Sequence, residues 1–223
     1  MAYYHQPPVP AFLFDLDGTL IDSAPQIQQA VNLALAELGL APLDLPRVTS
    51  FIGNGLPVLA ERAHAAAGVA EGVPSFEARI SAHYNRISAE AGRLFPGVRE
   101  ALDRLQTDGA CLGLCTNKPS DATRAVLGLM DLETTFSVFV GGDSLPQRKP
   151  DPAPLFHVLD RLGTGPAVYV GDSEVDAETA RRAGVPFVLF TEGYRKTPVD
   201  RIPHDAAFSD FSGLFAVIQS LIS

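Results

Sequence analysis

Lysine is nearly absent from this 223-residue chain: it occurs only as Lys118, Lys149 and Lys196, within a total of 17 Lys and Arg against 26 Asp and Glu. The net charge of −9, with no basic patch to offset it, argues against nucleic acid and anionic membranes as partners, since both would repel the chain. Cysteine occurs twice, as Cys111 and Cys115. Four residues apart on an expected strand, they stand about 13 Å from each other, beyond the ~7 Å at which a disulfide closes. They read as buried thiols of a reducing compartment. No apolar run reaches the length of a membrane span, and no basic stretch leading into an apolar one opens the chain, so the expectation is a soluble cytoplasmic protein. The segment from Met1 to Pro10, with Pro7-Pro8, reads as an extended lead-in. The five histidines, His5, His64, His83, His157 and His204, match no zinc spacing and form no Ser-His-Asp pattern. Internal repeats and low-complexity tracts are also missing. A small anionic substrate stays compatible with the acidic balance, because a metal and one or two cations set the local field of a site.

What is present is a series of apolar runs that end in polar groups. Phe12-Leu13-Phe14 leads into Asp15-Leu16-Asp17-Gly18. Alternate strand residues face the same way, so Asp15 and Asp17 address one spot where the strand ends. The unbroken apolar run points to a strand buried on both faces, as in a parallel sheet, and such sheets bind ligands beyond the carboxyl ends of their strands. Two close carboxylates repel unless a cation sits between them, and oxygen ligands suit Mg²⁺ rather than zinc. Three further segments repeat the theme: Leu112-Gly113-Leu114-Cys115 runs into Thr116-Asn117-Lys118, Lys149 stands in the stiff turn Arg148-Lys149-Pro150-Asp151-Pro152, and Ala167-Val168-Tyr169-Val170-Gly171 ends at Asp172, with Asp176 four residues on.

Between the first and second of these segments the pattern is helical. Ile27, Val31, Leu33, Leu35 and Leu38 have helical spacing with Gly39 as a stop; Leu56–Ala67 and Phe76–Ala91 read as further helices. Beyond Pro96, helices and strands alternate: helices at Val98–Thr107, Asp121–Met130, Ala153–Leu162, Val175–Ala183 and Ser212–Leu221, strands at Cys111–Cys115, Phe136–Val140, Val168–Val170 and Phe187–Phe190. Alternation of this kind predicts an α/β fold with a Rossmann-like parallel sheet. The expected organisation is a catalytic core of residues 1–22 and 94–223, with an all-helical cap of residues 23–93 inserted after the first strand. Hinges fall near Ser23-Ala24-Pro25 and Phe95-Pro96-Gly97.

The four segments, in their order, spacing and apolar context, resemble the haloacid dehalogenase superfamily and specifically its phosphatases. Gly171–Ala180 and Leu189–Tyr194 are most similar to the bacterial phosphoglycolate phosphatase subgroup. The resemblance spans about Phe12 to Gly193. It implies a Mg²⁺-dependent phosphomonoester hydrolase that forms an aspartyl-phosphate, with 2-phosphoglycolate as the expected substrate and a monomer or homodimer as the expected state. On this resemblance Asp15 is the nucleophile and Asp17 the general acid, then base. Asp15, Asp17 (through its backbone carbonyl) and Asp172 hold the metal, and Asp176 orients its waters or Lys149 from behind. Thr116, Asn117 and Lys149 bind the phosphoryl oxygens. Lys118 is left outside this set, as a residue capping the loop after Thr116.

For substrate selection the expectation falls on the loop Phe51–Pro57. The amides of Gly53, Asn54 and Gly55 precede a helix and suit an anion, with Arg47 assisting. Relatives of other activity fit less well. Dehalogenases lack the second acid, which is present here as Asp17. Phosphonate-cleaving relatives use a cap lysine, and residues 22–93 contain none. Hexose-phosphate mutases carry a cation shortly after the cap glycine, where this chain has Asn54, Gly55 and Leu56. A pyrophosphatase or broad sugar-phosphate phosphatase is the second expectation. A non-catalytic binding module comes third, because all the motif acids are kept.

Overall fold

The computed structural model describes residues 9–87, 92–163 and 165–222. In chain order the elements are β1 (Ala11–Phe14), β2 (Ile21–Asp22), α1 (Ala24–Glu37), α2 (Leu45–Thr49), α3 (Leu56–Ala67), α4 (Val73–Ile87), β3 (Arg93–Leu94), α5 (Val98–Thr107), β4 (Cys111–Cys115), α6 (Ser120–Leu129), β5 (Val138–Val140), α7 (Ala153–Leu162), β6 (Ala167–Gly171), α8 (Glu174–Ala183), β7 (Phe187–Phe190), β8 (Ala206–Phe208) and α9 (Leu214–Ile222). Six strands form one parallel sheet in the order β5-β4-β1-β6-β7-β8. β1 is central, flanked by β4 and β6 in register from Ala11 to Phe14.

The strands are apolar throughout because both faces of the sheet are covered. Phe12, Phe14, Val168, Val170, Val188 and Phe190 point to one face, under Val98, Leu102 and Leu105 of α5, Val126 of α6 and Ile218 of α9. Ala11, Leu13, Tyr169, Phe187 and Leu189 point to the other, against Leu155 and Val158 of α7 and Ala177 and Ala180 of α8. Polar residues therefore cannot interrupt the strands and appear where they end, which brings the motif residues to one sheet edge.

Helices α1–α4 form a layer with its own apolar cluster, in which Val31 and Leu35 meet Val48, Leu59, Phe76 and Ile80. The chain enters and leaves this layer through the antiparallel pair β2–β3, with Ile21 opposite Leu94 and Asp22 opposite Arg93. The α/β class and the parallel sheet agree with the sequence reading; several details differ. Leu33 is 40% exposed, because α1 buries Ala30 and Ala34 instead. The expected strand at Phe136 begins only at Val138. Cys111 and Cys115 are both free, but Cys111 is half-buried rather than buried; burial pushes the Cys115 thiol up to about 12. The last turn of the helix expected to reach Ala91 lies outside the described residues, as does the lead-in before Val9. Among the described residues no helix is long and apolar enough to cross a membrane.

Candidate active site

Asp15 follows β1 directly and is buried. Lys149, on the turn before α7, brings Nζ to 2.8 Å from Asp15 Oδ1 and 2.7 Å from Asp176 Oδ1. The approach to Asp15 is an ion pair outside hydrogen-bond angles, so that oxygen keeps no hydrogen bond. Asp176 is saturated: Lys149 and the Tyr169 hydroxyl (2.8 Å) donate to Oδ1, while Ser173 donates to Oδ2 from Oγ (2.6 Å) and from its backbone N–H (3.2 Å). The Ser173 contacts arise locally, because Ser173 and Asp176 form the capping box of α8. Asp176 thus holds the Lys149 ammonium by a hydrogen bond.

Asp172 directly follows β6 and is buried beside Asp15 and Asp176; one carboxylate oxygen of each lies within 4.8 Å of the others. Thr19 Oγ1 donates to its Oδ1 at 3.0 Å and the Tyr194 backbone N–H to its Oδ2 at 2.5 Å. Two loops close tightly on this acid. A Cβ at Gly193 would stand 2.3 Å from Asp172 Cβ, and one at Gly18, which has φ +90°, 2.5 Å from Asp172 Oδ2.

Burial first, and then the Asp176 charge, push the Asp15 carboxyl up to about 7 against the pull of Lys149. Burial, followed by the charges of Asp176 and Asp15, raises Asp172 well above the carboxylate range. Burial opposes the charge on Lys149, but Asp15 and Asp176 outweigh it and hold the ammonium charged. Three buried carboxylates lie together, only Asp15 and Asp176 are paired with the ammonium, and Asp15 and Asp172 still have oxygen lone pairs to offer. That donor set fits a hard divalent cation. The Asp17 carboxylate lies outside this cluster, which leaves its backbone carbonyl, the atom expected to ligate, as the group it would offer.

The Asp17 carboxylate is instead paired with Lys118, whose Nζ lies 2.9 Å from Oδ1 and 3.2 Å from Oδ2. Lys118 is buried and also donates to the Tyr84 hydroxyl of α4 at 2.5 Å. The Asp17 and Tyr84 oxygens outweigh the burial penalty and keep its ammonium charged. A mere loop cap is therefore the wrong description of Lys118. The available signal was the scarcity of lysine: Lys118 and Lys149 both lie in the site, and Lys196 Nζ donates to Ile52 O of the helical layer at 3.0 Å. Tyr169 was also missed, since on an apolar strand it reads only as core.

Asn117, expected to bind the phosphoryl oxygens, has its side chain engaged within the protein: Nδ2 donates to Gly53 O and Lys149 O, each at 3.0 Å, and Oδ1 accepts from Lys149 N at 3.0 Å. The amide is a strut joining three loops. Thr116 Oγ1 accepts from Lys118 N at 3.2 Å, and the residue lines the cavity.

That cavity, about 200 Å³, lies between the sheet edge and the helical layer. Asp15, Asp17, Thr116 and Lys118 form its floor, with Ile27, Ile52, Leu56 and Ile80 opposite. Gly53 and Gly55 line it; Asn54 and Arg47 do not. Asn54 Oδ1 accepts from Arg62 at 3.1 Å. Arg47 is exposed, its guanidinium 5.6 Å from the Phe51 ring centroid. Of the four cap residues expected to select substrate, only the two glycines reach the cavity.

Comparison with known proteins agrees with this architecture. Residues 12–190 match the family model described as haloacid dehalogenase-like hydrolase. A phosphoglycolate phosphatase from Cereibacter sphaeroides is 48% identical over 96% of this chain and 100% of its own, and one from Rhodobacter capsulatus is 44% identical over 94% and 97%. A crystal structure described as a predicted phosphoglycolate phosphatase from Haemophilus somnus superimposes with a TM-score of 0.88, at 32% identity, over 93% of this chain and 97% of that one. With its parallel sheet, its acids at the strand ends and this extent of similarity, the chain belongs to the haloacid dehalogenase-like hydrolase family.

Proposed function

We propose that the protein is a Mg²⁺-dependent phosphomonoester hydrolase that converts 2-phosphoglycolate to glycolate and phosphate through an aspartyl-phosphate on Asp15. The observation that carries this reading is Asp15, which lines the cavity beside Asp172 and is paired at 2.8 Å with Lys149 behind it. The pair supplies a carboxylate nucleophile and a fixed positive charge for the phosphoryl oxygens. The relatives named as phosphoglycolate phosphatases support the choice of substrate.

In this mechanism an Asp15 oxygen attacks phosphorus, the bond from phosphorus to the ester oxygen breaks, and Asp17 gives its proton to the departing alkoxide. Water then attacks the aspartyl-phosphate while Asp17 takes up a proton, which releases orthophosphate and restores Asp15. Lys149, held by Asp176, neutralises the phosphoryl group as a point charge, and Thr116 donates to it. Asp15, Asp172 and the Asp17 backbone carbonyl would hold Mg²⁺, which supplies further charge neutralisation at the phosphoryl oxygens. Residues 1–22 and 94–223 act as the catalytic core and residues 23–93 as a cap, with Gly53 and Gly55 as the roof over a small substrate.

The test is a kinetic screen of 2-phosphoglycolate, pyrophosphate and sugar phosphates with Mg²⁺ and with excess chelator. The expected result is the highest kcat/KM for 2-phosphoglycolate and no turnover in chelator. A preference for pyrophosphate or sugar phosphates would move the substrate, and full activity in chelator would remove the metal.

A further inference from the structure

The cavity holds a charge that phosphoryl transfer does not require. Among the described residues lining it, Lys118 is the one cationic side chain, facing four acids, Asp15, Asp17, Asp121 and Asp143. Lys149 is turned toward Asp15 and Asp176 and does not line the cavity. The Lys118 side chain is only 3% exposed, and burying an ammonium costs several kcal/mol unless its partners are well placed. Here the partners come from both layers: Asp17 from the sheet edge, and Tyr84 from α4, whose ring centroid is 4.6 Å from Nζ.

We propose that Lys118, presented together with Tyr84, is the specificity-determining residue that recognises a carboxylate on the leaving group of the phosphoester. The inference rests on Asp17 being the proton donor. The leaving oxygen must come within a hydrogen bond of Asp17, and Lys118 Nζ is itself one hydrogen bond from that carboxylate. A carboxylate joined to the leaving oxygen through a single methylene group then falls within reach of the ammonium. The Tyr84 hydroxyl accepts from Lys118, so its own hydrogen is left to donate to the same carboxylate. A neutral leaving group makes neither contact. In this arrangement Gly53 and Gly55 roof the cavity, and Lys118 supplies the charge that Arg47 does not. Because Tyr84 belongs to the helical layer, the full anion site exists only when that layer is seated on the sheet edge.

The test compares 2-phosphoglycolate with ethyl phosphate, which has a similarly poor alkoxide leaving group but no carboxylate, in the wild type and in Lys118→Met, Lys118→Arg and Tyr84→Phe. Loss of one partner of a buried charge pair predicts a fall of roughly 10²- to 10³-fold in kcat/KM for 2-phosphoglycolate with Lys118→Met. The fall should appear mainly in KM and should exceed, by at least about tenfold, the loss on ethyl phosphate, which registers what Lys118 does for Asp17 alone. Tyr84→Phe should lower the ratio of the two substrates by about tenfold, and Lys118→Arg should restore part of what Lys118→Met loses. If Lys118→Met fails to fold, Tyr84→Phe decides the matter. Equal losses on both substrates, with the wild-type preference for 2-phosphoglycolate intact, would overturn the proposal and leave the function standing. A wild-type preference for a different carboxylate-bearing phosphoester, abolished in Lys118→Met, would support the proposal and overturn 2-phosphoglycolate. No wild-type preference for carboxylate-bearing esters over ethyl phosphate would overturn the proposal.

Discussion

The Tyr194 backbone N–H donates to Asp172 Oδ2 at 2.5 Å. From the same residue, the hydroxyl accepts from the backbone N–H groups of Ser23 (2.7 Å) and Ala24 (2.9 Å) and donates to Asp22 Oδ1 (2.7 Å). One residue of the sheet domain thus touches a candidate metal ligand and the entrance to the helical layer. Ser23 precedes α1 but makes no side-chain cap bond, so Tyr194 does the capping from 170 positions away. Tyr194→Phe removes these hydroxyl bonds without creating a cavity. It should lower stability by roughly 1–3 kcal/mol, read from denaturant unfolding. An unchanged midpoint would mean that water replaces the hydroxyl.

The second prediction concerns pH and the metal. Burial pushes Asp15 up to about 7, so between the ordinary carboxylate range and neutrality the native state binds a proton that the unfolded state has released. In chelator, the contribution of this group to stability therefore falls as pH rises through that window. A divalent cation needs the ionised form, so its stabilising effect should grow as pH rises. Melting temperatures with and without Mg²⁺, at about pH 5.5 and about pH 8, should show the larger shift at the higher pH. Equal shifts would place the cation elsewhere.

Asp15→Asn keeps the shape but removes the anionic nucleophile and a buried charge. Turnover should fall by several orders of magnitude while the protein stays folded, because Lys149 keeps its bond to Asp176. Kinetics and circular dichroism check both halves. In the unsubstituted protein, beryllium fluoride should be found on Asp15. Substantial activity in the variant would refute a covalent route.

Gly55 has φ +86°, and a Cβ there would stand 3.1 Å from Asn117 O. Gly55→Val should therefore strain the loop and lift the roof over the cavity. Turnover of 2-phosphoglycolate, which needs closure to exclude water, should drop by at least about tenfold more than that of p-nitrophenyl phosphate, whose leaving group needs less help. Equal losses would make this loop a plain connector.

Much of the fold was legible because its signals are local. The apolar strands β1, β4, β6 and β7 and the helices α3, α5 and α7 stand where periodicity put them. β8 and α2 were missed: three and five residues long, they are too short to display a period and form because the neighbouring layers hold them. The candidate site was legible in outline, since strands buried on both faces concentrate polar groups at their ends.

The sequence by itself determined which acids and cations gather at the sheet edge, because Asp15, Thr116, Lys118 and Asp172 are each tied by adjacency to a strand end. Tertiary structure decided what each side chain does there. Lys118 meets Asp17 across 101 positions and Tyr84 across 34. Asn117 became a strut because Gly53 and the Lys149 turn come within 3.0 Å of it. Arg47 lies outside the cavity because α2 buries Val48 and leaves Arg47 exposed. Adjacency and period are properties of a short stretch of chain, whereas the partner of a buried polar group is fixed only when separate layers pack and each donor must find its acceptor.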